Sequence, residues 1–170
     1  MILTQRRICD EVQNGNIILD PFCVGQLNPN SYNYRLAPVI ARRTGEGDTT
    51  NIQWEELTVG PEGFLLEPRR LYLGLTEEII GSRRYTTTLL GRSSIGRLGL
   101  FLNVTADLGH VGSASRWTLE LKVVQPLRIY PRMLIGQVAF WGNRGASIDY
   151  CGRYNGDLHW ASSRDGSLGA

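Results

Sequence analysis

Short apolar stretches that alternate with polar residues recur along this chain, separated by turns rich in glycine, proline and asparagine. The pattern is clear at Tyr32, Tyr34 and Leu36, which are spaced two residues apart as in a half-buried strand. Comparable stretches predict further strands at Ile17–Leu19, Ile52–Val59, Phe64–Leu66, Leu71–Leu75, Thr86–Leu90, Leu98–Thr105, Trp117–Val124, Leu127–Tyr130 and Leu134–Trp141. This series of strands predicts a mainly β fold, as a sandwich, jelly roll or distorted barrel.

Helical spacing is confined to the N-terminus. Thr4 is suited to cap a helix, Ile8 and Val12 share one face of it, and Gly15 is placed to end it. The 170 residues suffice for one domain, which we assign to 1–170. Residues 142–170 are rich in Gly, Ser, Arg and Asn, and they fit either a disordered tail or a mobile flap over a site.

Composition narrows the class of protein. The net charge of +2 does not favour nucleic acid as a partner, and no apolar run is long enough to cross a membrane. Three widely spaced cysteines, without a CxxC pair, argue against a disulfide framework or a zinc site and favour a reducing cytoplasm. Lys122 is the only lysine, so the positive charge comes almost entirely from arginines, which suit bidentate contacts with anions.

The segment Gly91–Leu100, with the sequence GRSSIGRLGL, carries the most distinctive candidate chemistry. Its glycines allow tight turns, and its arginines and serines match the oxygens of a phosphate group. The candidate ligands in this segment are Arg92, Ser93, Ser94 and Arg97. On these residues alone, the segment is either a phosphate cradle or a polar hairpin whose charges are solvated.

Glu120 lies in an apolar strand, on the face opposite Leu119 and Leu121 and beside Thr118. Such a carboxylate either faces solvent or is buried for proton transfer. His110 lies in a loop that links two predicted strands. The zinc deaminase signature H-x-E…P-C-x-x-C is absent from the sequence.

Together these motifs resemble the dCTP deaminase family of the trimeric dUTPase-like superfamily. GRSSIGRLGL is similar to its G-R-S-S-x-x-R-L-G-L signature, and Thr118-Leu119-Glu120 is similar to the strand that carries its catalytic glutamate. Asn28–Leu36 is similar to its Q-P-A-S-x-D-L-R-L stretch, and Met133–Gln137 to its M-L-I-G-Q strand. The interval from the signature to Glu120 matches without a gap, and the resemblance covers nearly the whole chain.

The resemblance implies a homotrimer of distorted β-barrel or jelly-roll subunits with a dUTPase-like fold and active sites between subunits. It implies hydrolytic deamination of a cytosine nucleotide, by default dCTP to dUTP and ammonia, with no metal acting on the base and with Mg²⁺ bound through the phosphates. Glu120 would be the general acid and base. The other implied catalytic and nucleotide-binding residues are Arg92, Ser93, Ser94, Arg97, Ala106, His110, Thr118, Arg153 and Tyr154.

The sequence departs from the family pattern in the loop after Ala106. There His110 stands in place of the family's aspartate and Ser113 in place of its aromatic residue. In the family this loop contacts deoxyribose, so CTP, dCMP or CMP are alternative substrates. A dUTPase-like or bifunctional nucleotide pyrophosphatase is a second hypothesis, and a non-catalytic nucleotide-binding relative is a third.

Overall fold

The structure is a computed structural model that describes residues 1–45, 52–102, 106–152 and 156. The predicted N-terminal helix, α1 (Gln5–Gln13), is present; Thr4 is its N-cap residue and Asn14 follows as its C-cap. Gly15 comes next with φ of +72°, a conformation that favours glycine, and this confirms its role in ending the helix. Ile8 is fully buried, so α1 packs its apolar face on the sheet.

Strands make up most of the remaining structure, as the alternating pattern predicts. The strands of the described residues are β1 (Ile17–Asp20), β2 (Leu27–Asn28), β3 (Ser31–Thr44), β4 (Gln53–Thr58), β5 (Phe64–Leu66), β6 (Tyr72–Ser82), β7 (Tyr85–Gly91), β8 (Leu100–Phe101), β9 (Leu108–Gly109), β10 (Ala114–Val123), β11 (Leu127–Ile129) and β12 (Leu134–Gly142). A 3₁₀ turn covers Val24–Gln26, and a one-turn helix, α2, covers Ser93–Gly96.

One large antiparallel sheet contains most of these strands, in the order β8-β10-β6-β3-β12-β7-β9. In addition, β1 pairs with β6, both β2 and β4 pair with β3, and β5 and β11 form a separate two-stranded sheet. The core contains the fully buried side chains of Tyr34, Leu36, Ile80, Leu119 and Phe140. This mainly β architecture with a short N-terminal helix confirms the predicted fold class.

Chain length requires the large sheet to curl. Strands β8 and β9 lie at opposite ends of the strand order, yet only six residues separate Phe101 from Leu108. A flat sheet with this strand order would be about 29 Å across, whereas the connecting chain spans at most about 25 Å. The two edges therefore approach each other, as in a partly closed barrel, and we call the gap between β8 and β9 the seam.

Candidate active site at the seam

The GRSSIGRLGL segment crosses the seam, because it links β7 on one side to β8 on the other. Its centre is the one-turn helix α2, which the sequence does not predict. The Ile95 N–H donates to the Arg92 carbonyl at 3.0 Å, and the Ile95 side chain is buried. Burial of this one apolar residue explains the helical turn, which Gly99 terminates with φ of +86°.

Around Ile95, the polar side chains of the segment point outward. Ser93, Ser94 and Arg97 are exposed, and the structure gives their side chains no hydrogen-bond or ion-pair partner among the described residues. Two hydroxyls and a guanidinium on one helical turn offer hydrogen-bond donors that suit the oxygens of a phosphate chain. Their arrangement supports the phosphate-cradle interpretation of the segment.

The start of the cradle is fixed from the neighbouring strands. Tyr34 donates its hydroxyl to the Leu90 carbonyl at 3.4 Å, and Gln137 Nε2 donates to the Gly91 carbonyl at 3.3 Å. Arg92 donates from Nη1 to the Leu134 carbonyl at 3.2 Å, which uses one of the five donor N–H groups of the guanidinium. Arg92 is therefore half-buried at the base of the cradle, with donors left over for an anion.

Glu120 lies on β10, which is the strand next to β8 at the seam. Leu119 and Leu121 are fully buried on one face of this strand, while Thr118 and Glu120 are half-buried on the other. This confirms the predicted alternation. A shift in the β10–β6 register between Arg116 and Thr118 sets which residues lie on each face of β10 from Thr118 onward.

The loop that contains Ala106 and His110 forms the other side of the seam. The Leu89 N–H donates to the Asp107 carbonyl at 2.8 Å, so the exposed Ala106 comes beside the last residues of β7, just before the cradle. Gly109 then lies so close to Thr87 and the Trp117 ring that a Cβ atom would clash with both. Sequence alone does not reveal β9, which consists of only two residues, because its pairing with β7 depends on this close approach.

The residues after β12 fold back along this loop. Tyr150 donates its backbone N–H to the Val111 carbonyl at 2.8 Å, and its ring stacks on His110 with centroids 5.3 Å apart and an interplanar angle of 20°. Sequence reasoning missed Tyr150, although an aromatic residue among Gly, Ser and Arg was a usable signal. The two predicted ligands of this tail, Arg153 and Tyr154, lie outside the described residues.

Two surface cavities flank these elements. One has a volume of about 360 Å³ and is lined by Thr86, His110, Asn143 and Arg144, among others. The second has a volume of about 400 Å³ and an apolar lining that includes Phe101 of β8 and Val124 after β10. The first is a polar recess between the loop and the tail, whereas the second lies on the edge of the sheet that carries Glu120.

A metal cluster and a membrane-spanning helix place further requirements on the described residues. Within the part of the chain that the structure describes, no three His, Cys, Asp or Glu side chains come together as metal ligands. The described helices are also too short or too polar to span a lipid bilayer. The arginines and serines of the cradle are suited to anions rather than to a metal ion.

Comparison with known proteins gives a consistent result. The sequence model of the family described as dCTP deaminase-like matches residues 2–143. The chain is 43% identical over 144 residues to a "dCTP deaminase, dUMP-forming" of Clostridium botulinum (strain Alaska E43 / Type E3), with 82% of each chain covered. It is 41% identical over 159 residues to the protein of the same name from Hathewaya histolytica, with 91% of each chain covered.

A further relative, "dCTP deaminase" of Rhodopirellula baltica, is 41% identical over 134 residues, which cover 78% of this chain and 68% of that one. Among solved structures, the crystal structure of 2'-deoxycytidine 5'-triphosphate deaminase from Agrobacterium tumefaciens superposes with a TM-score of 0.66 at 19% identity. That superposition covers 82% of this chain and 47% of the other, and it shows a shared fold. The matched residues 2–143 include the cradle, the loop of His110 and Glu120, and the chain belongs to the dCTP deaminase-like family.

Proposed function

We propose that this protein is a hydrolase that deaminates dCTP. The observation that carries the proposal is that the family match over residues 2–143 includes both the cradle, which links β7 to β8 across the seam, and Glu120 on β10, the strand that pairs with β8. Relatives at 41–43% identity that are named for dCTP deamination support this substrate. The retained Ser93, Arg97 and Glu120 argue against a non-catalytic relative.

In the proposed reaction, water adds to C4 of the cytosine ring and the exocyclic amine leaves. Glu120 takes a proton from the attacking water and delivers it to N3 of the ring, and then carries the proton of the new C4 hydroxyl to the amine, so that ammonia departs and the C4 carbonyl of uracil forms. One carboxylate can transfer both protons in turn, and no metal is needed to activate the water. The half-buried position of Glu120 supports this role, because it limits solvent while leaving one side accessible.

The remaining residues would bind and orient the nucleotide. Arg92, Ser93, Ser94 and Arg97 would hold the triphosphate, and Ser93 and Arg97 would also order the water. Ala106 would leave space beside the base, while Thr118 and His110 would contact the base and sugar. Residues 142–170 would close over the site as a lid, with Arg153 and Tyr154 directed to the nucleotide.

Mg²⁺ fits this site only through the substrate. Residues 92–97 provide arginine and serine side chains but no carboxylate, so the oxygen ligands of Mg²⁺ would come from the triphosphate and from water. When bound, the ion would neutralise part of the phosphate charge. We therefore expect EDTA to weaken dCTP binding, with recovery on addition of Mg²⁺ but no requirement for zinc.

Release of diphosphate as a second step is a further candidate activity. The Clostridium botulinum and Hathewaya histolytica relatives are both named dUMP-forming, which favours dUMP over dUTP as the final product. Cleavage would attach the oxygen of water to the α-phosphate and expel diphosphate. The carboxylate that this step usually takes from the loop is replaced here by His110, so Asp107 is the nearest substitute in sequence.

Product analysis by mass spectrometry tests both steps. The purified protein is incubated separately with dCTP, CTP, dCMP, CMP and dUTP, and ammonia is measured in parallel. Ammonia with dUMP and diphosphate from dCTP supports the two-step reaction, whereas dUTP as the end product limits the activity to deamination. Preferred turnover of CTP, dCMP or CMP would show that the substrate specificity differs from the family's, and would link that difference to His110 and Ser113, which depart from the family pattern. Absence of ammonia from every cytosine nucleotide refutes the proposed deaminase.

A homotrimer with sites between subunits is the proposed assembly. Leu98, Phe101 and Val124 are 48%, 50% and 66% exposed beside the seam, a concentration of apolar surface that a second copy of the chain would cover. Light scattering gives the number of subunits. Arg97→Ala and Glu120→Gln homotrimers are then mixed in equal amounts and allowed to exchange subunits. If each site takes the two residues from different chains, about one quarter of the sites have both wild-type residues, and the mixture should recover about one quarter of wild-type turnover. Sites contained within one chain would recover none.

We also propose a cytoplasmic location. Cys9, Cys23 and Cys151 are all free in the structure, in agreement with a reducing compartment. Fractionation of cells that produce the protein, followed by immunodetection, tests this location. Recovery outside the cytoplasmic fraction would contradict it.

A further inference from the structure

A chain of side-chain hydrogen bonds leads from the start of β3 to the start of the cradle. Asn33 Nδ2 donates to Asn28 Oδ1 at 3.3 Å, and Asn28 Nδ2 donates to Ser31 Oγ at 3.2 Å. Ser31 Oγ donates to Gln137 Oε1 at 2.6 Å, and Gln137 Nε2 donates to the Gly91 carbonyl at 3.3 Å. Every link therefore donates in the same direction, toward Gly91.

Ser31 is the central link of this chain. The residue is 8% exposed, and its single hydroxyl hydrogen is committed to Gln137, because the hydroxyl accepts from Asn28 on its other side. Because this hydroxyl donates to Gln137, it favours the orientation in which the amide oxygen Oε1 faces Ser31. The amide nitrogen Nε2 then faces the Gly91 carbonyl. Rotation of that amide by 180° would place an oxygen against the Gly91 carbonyl and repel it.

From this geometry we infer that Ser31 is a positioning residue for the nucleotide site. It acts through Gln137 on Gly91, the residue that precedes Arg92 in the cradle. The inference rests on the proposed function, because the cradle matters only if it holds the substrate's phosphates. The three residues Ser31, Gln137 and Gly91 come from β3, β12 and β7, so the fold, rather than a local motif, brings them together.

Loss of this hydroxyl should affect substrate binding more than the chemical step. Ser31→Ala removes the donor to Gln137 Oε1, so the Gln137 side chain is held less firmly against the Gly91 carbonyl, whereas Glu120 on β10 is not part of the hydrogen-bond chain. We expect the KM for dCTP to rise about tenfold, which is the effect of one lost hydrogen bond, with kcat changed less than about threefold. Ser31→Thr, which keeps a hydroxyl, should restore most of the loss.

A double-mutant cycle separates this role from a general effect on folding. If Ser31 acts through Gln137, the Ser31→Ala and Gln137→Ala changes will not be additive, and the double variant will have the KM of Gln137→Ala alone. Asn30→Ala is the matched control. Asn30 is adjacent to Ser31, but its exposed amide donates to the Leu3 carbonyl at 3.4 Å and has no link to Gln137. Melting temperatures of all variants identify any that are unfolded.

The outcomes are distinct. A KM for Ser31→Ala within about twofold of the wild type, or additive effects in the cycle, overturns the positioning role. If the wild-type protein binds dCTP without releasing ammonia, the proposed function fails. The positioning role of Ser31 is then tested by the same double-mutant cycle, with dissociation constants for dCTP from calorimetry in place of KM. If the wild-type protein does not bind dCTP at all, both the proposed function and the positioning role are wrong.

Discussion

The buried carboxylate of Glu78 should contribute strongly to the stability of the sheet, and a substitution at this position tests that contribution. The carboxylate is fully buried in β6 and accepts the Arg35 backbone N–H at 2.8 Å, Arg35 Nε at 2.7 Å and Gln26 Nε2 at 3.0 Å. The hydrogen bond from Arg35 also raises the pKa of its guanidinium. Glu78→Gln keeps the size of the side chain but removes the charge and turns one acceptor into a donor that faces other donors. We expect this change to lower the free energy of unfolding by about 3–5 kcal/mol.

Urea unfolding, followed by tryptophan fluorescence at one protein concentration, measures this loss. Glu55→Gln is the matched control, since Glu55 pairs with Arg42 at 2.6 Å while both side chains are at least one-third exposed (43% and 34%). The control should cost about 0–1 kcal/mol, as exposed ion pairs do. A loss of less than about 1 kcal/mol for Glu78→Gln would refute the reasoning, because the buried carboxylate would then contribute no more than an exposed one.

Two other predictions follow from the core and from the loop beside the seam. Burial raises the pKa of Tyr32 to about 12. The folded state therefore retains a proton that the unfolded chain loses near pH 10. As a result, the free energy of unfolding should fall as the pH rises from about 10 to 12. Tyr32→Phe should flatten that fall in pH-dependent urea titrations, and an unchanged slope would argue against it. Gly109→Ala places a methyl group against Thr87 and the Trp117 ring, and should cost about 1–3 kcal/mol in unfolding experiments together with a lower kcat/KM. An unchanged melting temperature would show that the loop has room for the methyl group.

Local pattern was enough to predict most of the strands and α1. The apolar pattern placed the start of β3 and nearly all of β12, although both strands bury residues on both faces: Tyr32, Asn33 and Tyr34 are all buried in β3, and Val138, Ala139 and Phe140 are all buried in β12. It underestimated β6, predicted at Leu71–Leu75 but extending over Tyr72–Ser82, because the buried Glu78 and Thr76 interrupt the apolar run. Their burial depends on partners far away in sequence, which no local pattern contains.

The candidate site was only partly visible in the sequence. The outward face of β10 predicted where Thr118 and Glu120 lie relative to Leu119, and the composition of residues 91–100 predicted the polar cradle. Three features depend on the fold instead: the curl that creates the seam, the stacking of Tyr150 on His110, and the link from Ser31 through Gln137. The stacking and the link through Gln137 join residues at least 40 positions apart in the sequence, and the curl depends on the order of seven strands.

The most direct test of the central claim is ammonia release from dCTP by Glu120→Gln, measured together with the dissociation constant for dCTP. Glu62→Gln, an exposed glutamate in the turn before β5, is the control. Loss of a general acid and base should lower kcat by about 10²–10⁴-fold, while the cradle keeps the dissociation constant within about threefold of the wild type. Wild-type rates of ammonia release from Glu120→Gln would contradict the assignment of Glu120 as the residue that transfers protons.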